Sequence, residues 1–343
     1  VPNRALIVAL VALVGALTSL PALAETRKVN AASFIRAESD NYLRNMVAQN
    51  GGLGVLLHQR TTTQLDAQTI IRMNLDTLYS SAVVDLAAGP VTVTMPEVAD
   101  GRYVAMQVVN QDHLTPMVLH DGTMTLTEDS VGTRYAALLV RVFVDPNDAS
   151  DPARAHAVQD GIKIEQGAKG TLDLPDWDKT TLDAARKALL ELGALGRDGF
   201  GVIMGKKGEV DPIGHLVSTA VGWGLNPPSE AVYLFPGLTT NDGKVVHKLT
   251  MKDIPVDAFW SISVYNKAGF FEPNPLNRNA VNNVTGKKAE DGSITVQFGG
   301  CSAEGPDNCI PITEGWNYVV RLYRPRPEVV NETWTLPDAE PVK

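Results

Sequence analysis

Cysteine is scarce in this chain of 343 residues, with only Cys301 and Cys309, and aromatic residues make up 6%. Two thiolates without a second Cys or His pair cannot complete a tetrahedral zinc site, so no metal site is expected. Established catalytic signatures are missing too: there is no G-x-S-x-G elbow, no H-E-x-x-H, no C-x-x-C and no Walker A run. Gly199-Phe200-Gly201 with Gly205 only loosely mimics a dinucleotide loop and lacks the strand-helix-strand setting. The cofactor stays unknown at this level. Positive charge is short as well. Thirty Lys and Arg face 39 Asp and Glu, for a net charge of −9. A scattered minority of basic residues leaves no footprint for nucleic acid, and acidic or polyanionic substrates are not favoured either.

Long apolar runs are absent after the first two dozen residues. At the start, Arg4 precedes an apolar stretch over residues 5–20 and a small-residue exit at Ala22-Leu23-Ala24. That order is expected of a secretory signal peptide occupying residues 1–24, because the apolar stretch falls short of the roughly 20 residues that span a bilayer. The expected product is periplasmic or secreted, with no stable membrane insertion after cleavage. In an oxidising compartment Cys301 and Cys309, separated by a stretch containing Gly305-Pro306-Asp307-Asn308, are expected to close a disulfide loop. Two buried free thiols are the alternative.

What is present is largely alternation. Ile35, Leu43, Met46 and Val47 fall at helical spacing before Gly51-Gly52. From residue 80 the period becomes two, as in 91–95, 103–108 and 135–144, with turns at Gly89-Pro90, Asp100-Gly101 and Asp121-Gly122. Leu182, Ala185, Leu189 and Leu192 then form an amphipathic stripe, and an apolar run over 215–223 stops at Asn226-Pro227-Pro228. Period two returns at 245–251, 259–265, 294–298 and 318–323. The expected fold is α+β, mainly β: an N-terminal α/β domain with antiparallel strands (25–148), a helical connector (149–228), and a C-terminal antiparallel sandwich or jelly-roll-like domain (229–343).

The run Arg72-Met73-Asn74-Leu75-Asp76-Thr77-Leu78-Tyr79-Ser80, followed by Asp85-Leu86 and Gly89-Pro90-Val91, resembles the signature of the domain-of-unknown-function family numbered 1254. Pro255-Val256-Asp257-Ala258-Phe259-Trp260-Ser261, Tyr265, Asn274, Asp291-Gly292-Ser293 and Arg321-Leu322-Tyr323 are similar to its companion family numbered 1214. The resemblance implies an N-terminal α/β part and a C-terminal jelly-roll-like part, and it assigns no reaction.

Residues 72–79 are dense in polar groups. In an extended chain Arg72, Asn74 and Asp76 share one face and would fix a carboxylate, hydroxyl or sugar ring, with Tyr79 beside them. The structural alternative pairs Arg72 with Asp76 and uses Asn74 to satisfy a turn. A second cluster holds Gln107, Asn110, Gln111, Asp112 and His113. Here His113 is the candidate acid or base, with Asp76 rather than the adjacent Asp112 as its partner, because neighbours on an extended chain face opposite ways. The plainer alternative is a loop histidine bonded to backbone. Trp260 and Tyr265 are candidates for stacking on a ligand ring, against the alternative of filling the core. The expectation is a small polar organic molecule or saccharide bound in an interdomain pocket, with hydrolase or isomerase chemistry as an extension and enzyme status left open. The rival expectation is an envelope component that forms homo-oligomers through its β domains.

Overall fold

Helical spacing over residues 35–47 becomes α1 (Phe34–Asn50), which stops where Gly51 takes a left-handed conformation (φ 83°) and returns its N–H to the Val47 carbonyl. The computed structural model describes residues 26–342 except 63, 69–70, 99–100, 146–147 and 197–198, so the expected leader lies outside the described residues. After α1 come β1 (Leu57–His58), β2 (Thr77–Asp85), β3 (Val91–Met95), β4 (Val104–Asn110), β5 (Met117–Leu119), β6 (Gly122–Leu126), α2 (Glu128–Val131), β7 (Tyr135–Phe143), α3 (Asp151–Asp160), β8 (Lys163–Gln166), α4 (Lys179–Gly193) and α5 (Pro212–Val221). The remainder is β9 (Ala231–Leu234), β10 (His247–Met251), β11 (Trp260–Tyr265), β12 (Ala280–Asn282), β13 (Ile294–Phe298), β14 (Cys309–Ile310), β15 (Asn317–Tyr323), α6 (Pro327–Val330) and β16 (Glu340–Pro341). The molecule is α+β and mainly β.

An antiparallel sheet of order β1-β2-β7-β4-β5 organises the N-terminal part. Leu78, Ala82, Met106, Val108, Leu138 and Val140 line one face and pack under the smaller sheet β6-β3-β8 and α3. Each fully buried Val or Leu there stabilises by about 1.5–3 kcal/mol. On the opposite face, Val83, Val109 and Ala137 take α1 through Leu43. The far end of that face carries Tyr79, Ala105, Arg141 and Phe143 by the same alternation, and α1 does not cover it. The stretch 149–228 is more than a connector: β8 pairs with β3, and Leu182, Leu189 and Val217 of α4 and α5 pack with Phe34 and Ala37 of α1.

The C-terminal part is a sandwich of β14-β13-β10-β16 on β12-β11-β15-β9, filled by Trp260, Ile262, Val320, Leu322, Val296, Phe298 and Trp316. One pairing departs from the antiparallel expectation: β14 runs parallel to β13, with Gln297 opposite Cys309. Cys301 and Cys309 are disulfide-bonded, their Cα atoms 5.6 Å apart, which ties the approach loop to that short strand. Alternation then aims Ser261, Ser263 and Tyr265 of β11 and Val319, Arg321 and Tyr323 of β15 out of the sandwich, toward the uncovered end of the N-terminal sheet. Among the described residues no helix is long and apolar enough to cross a membrane.

Candidate functional site

Between the two parts lies a layer that is apolar at its rim and polar at its centre. Tyr103, Ala105, Phe143, Ala231, Phe259 and Tyr323 form the apolar contact, with Phe259 stacked on Tyr323 at 4.2 Å between ring centroids. Within it, Arg141 and Arg321 are almost fully buried, each in the middle of an otherwise apolar strand.

Residues 72–76 are not extended. Arg72 sits at φ 53° and β2 begins only at Thr77, so the face shared by Arg72, Asn74 and Asp76 in an extended chain does not form. Nor is Arg72 paired with Asp76: its N–H donates to the Gly269 carbonyl and its guanidinium lies 5.8 Å from the Phe235 ring centroid. Asp76 instead accepts from Asn282 Nδ2 at 3.2 Å. Asn74 donates to the Tyr323 hydroxyl at 2.6 Å while its own oxygen accepts the Asp76 N–H. Burial is the largest influence on the Asp76 carboxyl and pushes its pKa up, against the lowering effects of Ser261, Arg321 and Asn282. The run is thus held chiefly by C-terminal residues hundreds of positions away.

Nor does the fold bring His113 to Asp76. The Thr219 hydroxyl donates to the His215 carbonyl (2.8 Å), so it accepts from His113 Nδ1–H at 2.8 Å, and His113 Nε2 accepts the Gly224 N–H at 2.8 Å. Both nitrogens of a neutral ring are engaged. Burial, and after it the neighbouring His215, hold its pKa well below the ordinary histidine range. Its ring stacks on Trp223 and on His215, both at 5.4 Å. One of the two partners is backbone, as in a loop histidine bonded to backbone, and the other is the Thr219 side chain. Asn110 likewise shapes the turn, accepting the N–H groups of Asp112 and Leu114 and donating to the Val131 carbonyl.

The other candidates divide. Trp260 faces into the sandwich core, whereas Phe259 before it faces the layer. Tyr265, Tyr79 and Gln107 do reach the layer. Tyr79 stands directly across from Arg141 in the β2–β7 register, its ring centroid 5.6 Å from the guanidinium carbon. Gln107 Oε1 accepts from Arg141 at 2.9 Å, and its amide donates to Thr115 and to the Leu225 carbonyl. Arg141, Arg321, Tyr103, Tyr233, Tyr323, Ser261 and Asn282 were not named as site candidates from the sequence. The readable signal was a single charge inside each apolar strand, at Arg141 and Arg321, since a buried charge needs a reason.

Among the buried polar atoms of the layer, Thr77 Oγ1 and the Tyr103 hydroxyl have no hydrogen-bond partner, while Asp76 Oδ2 and Ser261 Oγ form no well-made hydrogen bond although Ser261 lies close enough to lower the Asp76 pKa. Desolvation keeps the Tyr103, Tyr233 and Tyr323 phenols above their ordinary range, so they stay protonated. Two clefts open elsewhere. One, of 440 Å³, lies between α1 and α4 beside Tyr42 and Arg186, and neither 72–79 nor Tyr265 lines it. The other, of 310 Å³, is lined by Thr115, Val118, Pro227 and Glu230. Through Thr115 it stands one side chain, Gln107, away from Arg141. No group of three or more His, Cys, Asp or Glu able to hold a metal occurs among the described residues.

Residues 53–124 match the family described as "Protein of unknown function (DUF1254)" and residues 238–327 the one described as "Protein of unknown function (DUF1214)". No curated protein matches the chain. Among solved structures, the chain is similar to the VPA0106 protein from Vibrio parahaemolyticus, with a TM-score of 0.68 and 18% identity over 91% of this chain and 98% of that one. It is also similar to an uncharacterized protein from Burkholderia cenocepacia, with a TM-score of 0.53 and 15% identity over 91% and 88% of the two chains. At these identities the likeness establishes a shared fold.

Proposed function

We propose that this is an exported protein that binds a small polar organic molecule in the layer between its two β-sheet units. The carrying observation is the set of buried polar atoms there without a well-made hydrogen bond, at Thr77 and Tyr103 and, side by side, at Asp76 and Ser261. A buried donor or acceptor without a partner costs about 1–3 kcal/mol, so a cluster of them facing one layer calls for an occupant that completes their bonds. The leader-like residues 1–24 and the disulfide support export to an oxidising compartment. Support for hydrolase or isomerase chemistry is narrower, because His113 has both ring nitrogens committed, which leaves Asp76 as a carboxyl group of the layer whose pKa burial raises.

Hydrogen exchange on the full chain tests the reading, using a panel of neutral polyols, saccharides and carboxylates. A ligand of the layer is expected to slow exchange over 72–79 and over β15 together. If no compound in the panel protects those two segments, the reading fails.

A further inference from the structure

Arg141 differs from the other buried arginines. Arg102 is paired with Asp151 at 2.5 Å, and Arg321 lies in the field of Asp76. Around Arg141, by contrast, no described carboxylate comes within the 4.0 Å of an ion pair, and its acceptors are neutral: Gln107 Oε1 and the Gly224 carbonyl, both at 2.9 Å. Burial is the largest influence on its pKa and pulls it down, and the groups that act against burial are tyrosines, beginning with Tyr79 and Tyr233. The pKa values of Tyr103, Tyr233 and Tyr323 are pushed up by burial, so these phenols do not neutralise it as phenolates. A guanidinium without a counter-charge in a desolvated layer is disfavoured, and beyond these two acceptors Nη1 and Nη2 each carry a second N–H that can donate.

We infer that the ligand of this layer carries one carboxylate and that Arg141 is the residue that receives it, an inference that rests on the binding reading above. A single charge fits better than a phosphate because Arg321, the second arginine of this layer, is committed to Ser263, Tyr265 and the carbonyls of Arg72 and Met73. A planar carboxylate matches the guanidinium fork in a bidentate pair. The body of the ligand meets rings: Tyr79 and Tyr233 are half-buried near Arg141, and the fully packed rings of Tyr103 and Tyr323 are also within its electrostatic reach. An aromatic acid therefore satisfies both ends, the charge by Arg141 and the ring by the tyrosines. The acidic charge of the whole chain, which argues against anionic substrates, is reversed locally at this point.

The test compares benzoate with benzyl alcohol, which has nearly the same shape and no charge, by calorimetry on the full chain at constant chloride. Benzoate is expected to bind at least about ten-fold more tightly, and Arg141→Gln to erase that preference while near-ultraviolet circular dichroism stays native. Arg141→Lys, which keeps the charge and loses the fork, is expected to weaken benzoate binding by about ten-fold or more, and it decides the matter if Arg141→Gln does not fold. Equal affinity of the two probes, a preference that survives Arg141→Gln, or unchanged benzoate binding in Arg141→Lys would overturn the inference. Protection of the layer by a neutral saccharide but not by benzoate overturns this inference and leaves the binding reading standing. Failure of every compound to protect the layer overturns both.

Discussion

The Tyr265 hydroxyl accepts from Arg321 Nη2 at 2.8 Å and donates to the Met73 carbonyl at 2.7 Å. Arg321 also reaches the Arg72 and Met73 carbonyls itself, so two strands of the C-terminal sheet hold the backbone that leads into β2. That clasp grips the backbone of the run at 72–76, beside the side-chain bonds that Asn74 makes to Tyr323 and Asp76 to Asn282.

Removing it in steps should separate its parts. Tyr265→Phe keeps the ring against Phe271 and takes away one hydroxyl that serves two partners, at an expected cost of about 1–2 kcal/mol. Arg321→Met takes the donor from the Arg72 carbonyl and from the Ser263 and Tyr265 hydroxyls and removes the charge beside Asp76, at an expected cost of about 3 kcal/mol or more. Urea unfolding measures both. An unchanged midpoint in Tyr265→Phe would mean that the clasp positions the loop without stabilising it.

The disulfide closes a loop of sequence separation 8. Limiting the freedom of so short a loop in the unfolded chain is worth roughly 2 to 3 kcal/mol in the chain-entropy model. A double Cys301→Ser, Cys309→Ser variant is therefore expected to lose about that much, with the fastest new amide exchange at β14, which pairs with β13 over only Cys309 and Ile310. Exchange that rises evenly over the sandwich would contradict a local role.

Alternation made β3 and β13 legible residue for residue, because one face of each is buried and a slip of one position would expose it. The same alternation separates Phe259 from Trp260 but cannot tell which of them looks into the sandwich, since both faces of β11 are buried. The run at 72–79 was visible as a concentration of polar groups. Its meaning was not, because Arg72 at φ 53° breaks the extended geometry on which a face assignment rests, and because Asp76 finds its partner at Asn282. Arg141 was hidden for a related reason: its chemistry depends on which carboxylates fail to approach it, and absence of a partner is a tertiary fact.

His113 should leave a signature in acid. The folded protein keeps the ring neutral because burial, and then His215, lower its pKa, whereas the unfolded chain takes up a proton near pH 6.5. The unfolded state then binds more protons, so this residue's contribution is present at high pH and is lost as pH falls through about 6.5. His113→Gln is expected to be less stable at pH 7.5, and the gap to the parent should narrow on acidification by at most about 1.4 kcal/mol per pH unit. Contributions from His58 and His120 are common to both proteins and cancel in the difference. Urea unfolding at a series of pH values reads it directly, and a gap independent of pH would show that the ring is not held neutral.

Asp76 titrates in the opposite sense. Burial raises its folded pKa above the unfolded value near 3.9, so folding favours the protonated acid, and the ionised form is a liability above that range. The liability disappears as pH falls through the raised folded pKa, because the folded state then binds the proton more readily than the unfolded state. Asp76→Asn removes the charge and keeps the shape, and its side-chain oxygen still accepts from Asn282. At pH 7 it is therefore expected to melt no lower than the parent, with any advantage shrinking on acidification. Asp76→Ala, which strands Asn282 and empties the site, is expected to cost about 1–3 kcal/mol. If Asp76→Asn instead melts many degrees lower at pH 7, attraction to Arg321 outweighs the burial penalty and the carboxylate is a structural ion. The same variant bears on the ligand: removing a negative charge from the layer favours an arriving anion, so Asp76→Asn should bind benzoate at least as tightly as the parent. Weaker binding would mean that the ligand needs the negative charge of Asp76 and not only a hydrogen-bonding group at that position.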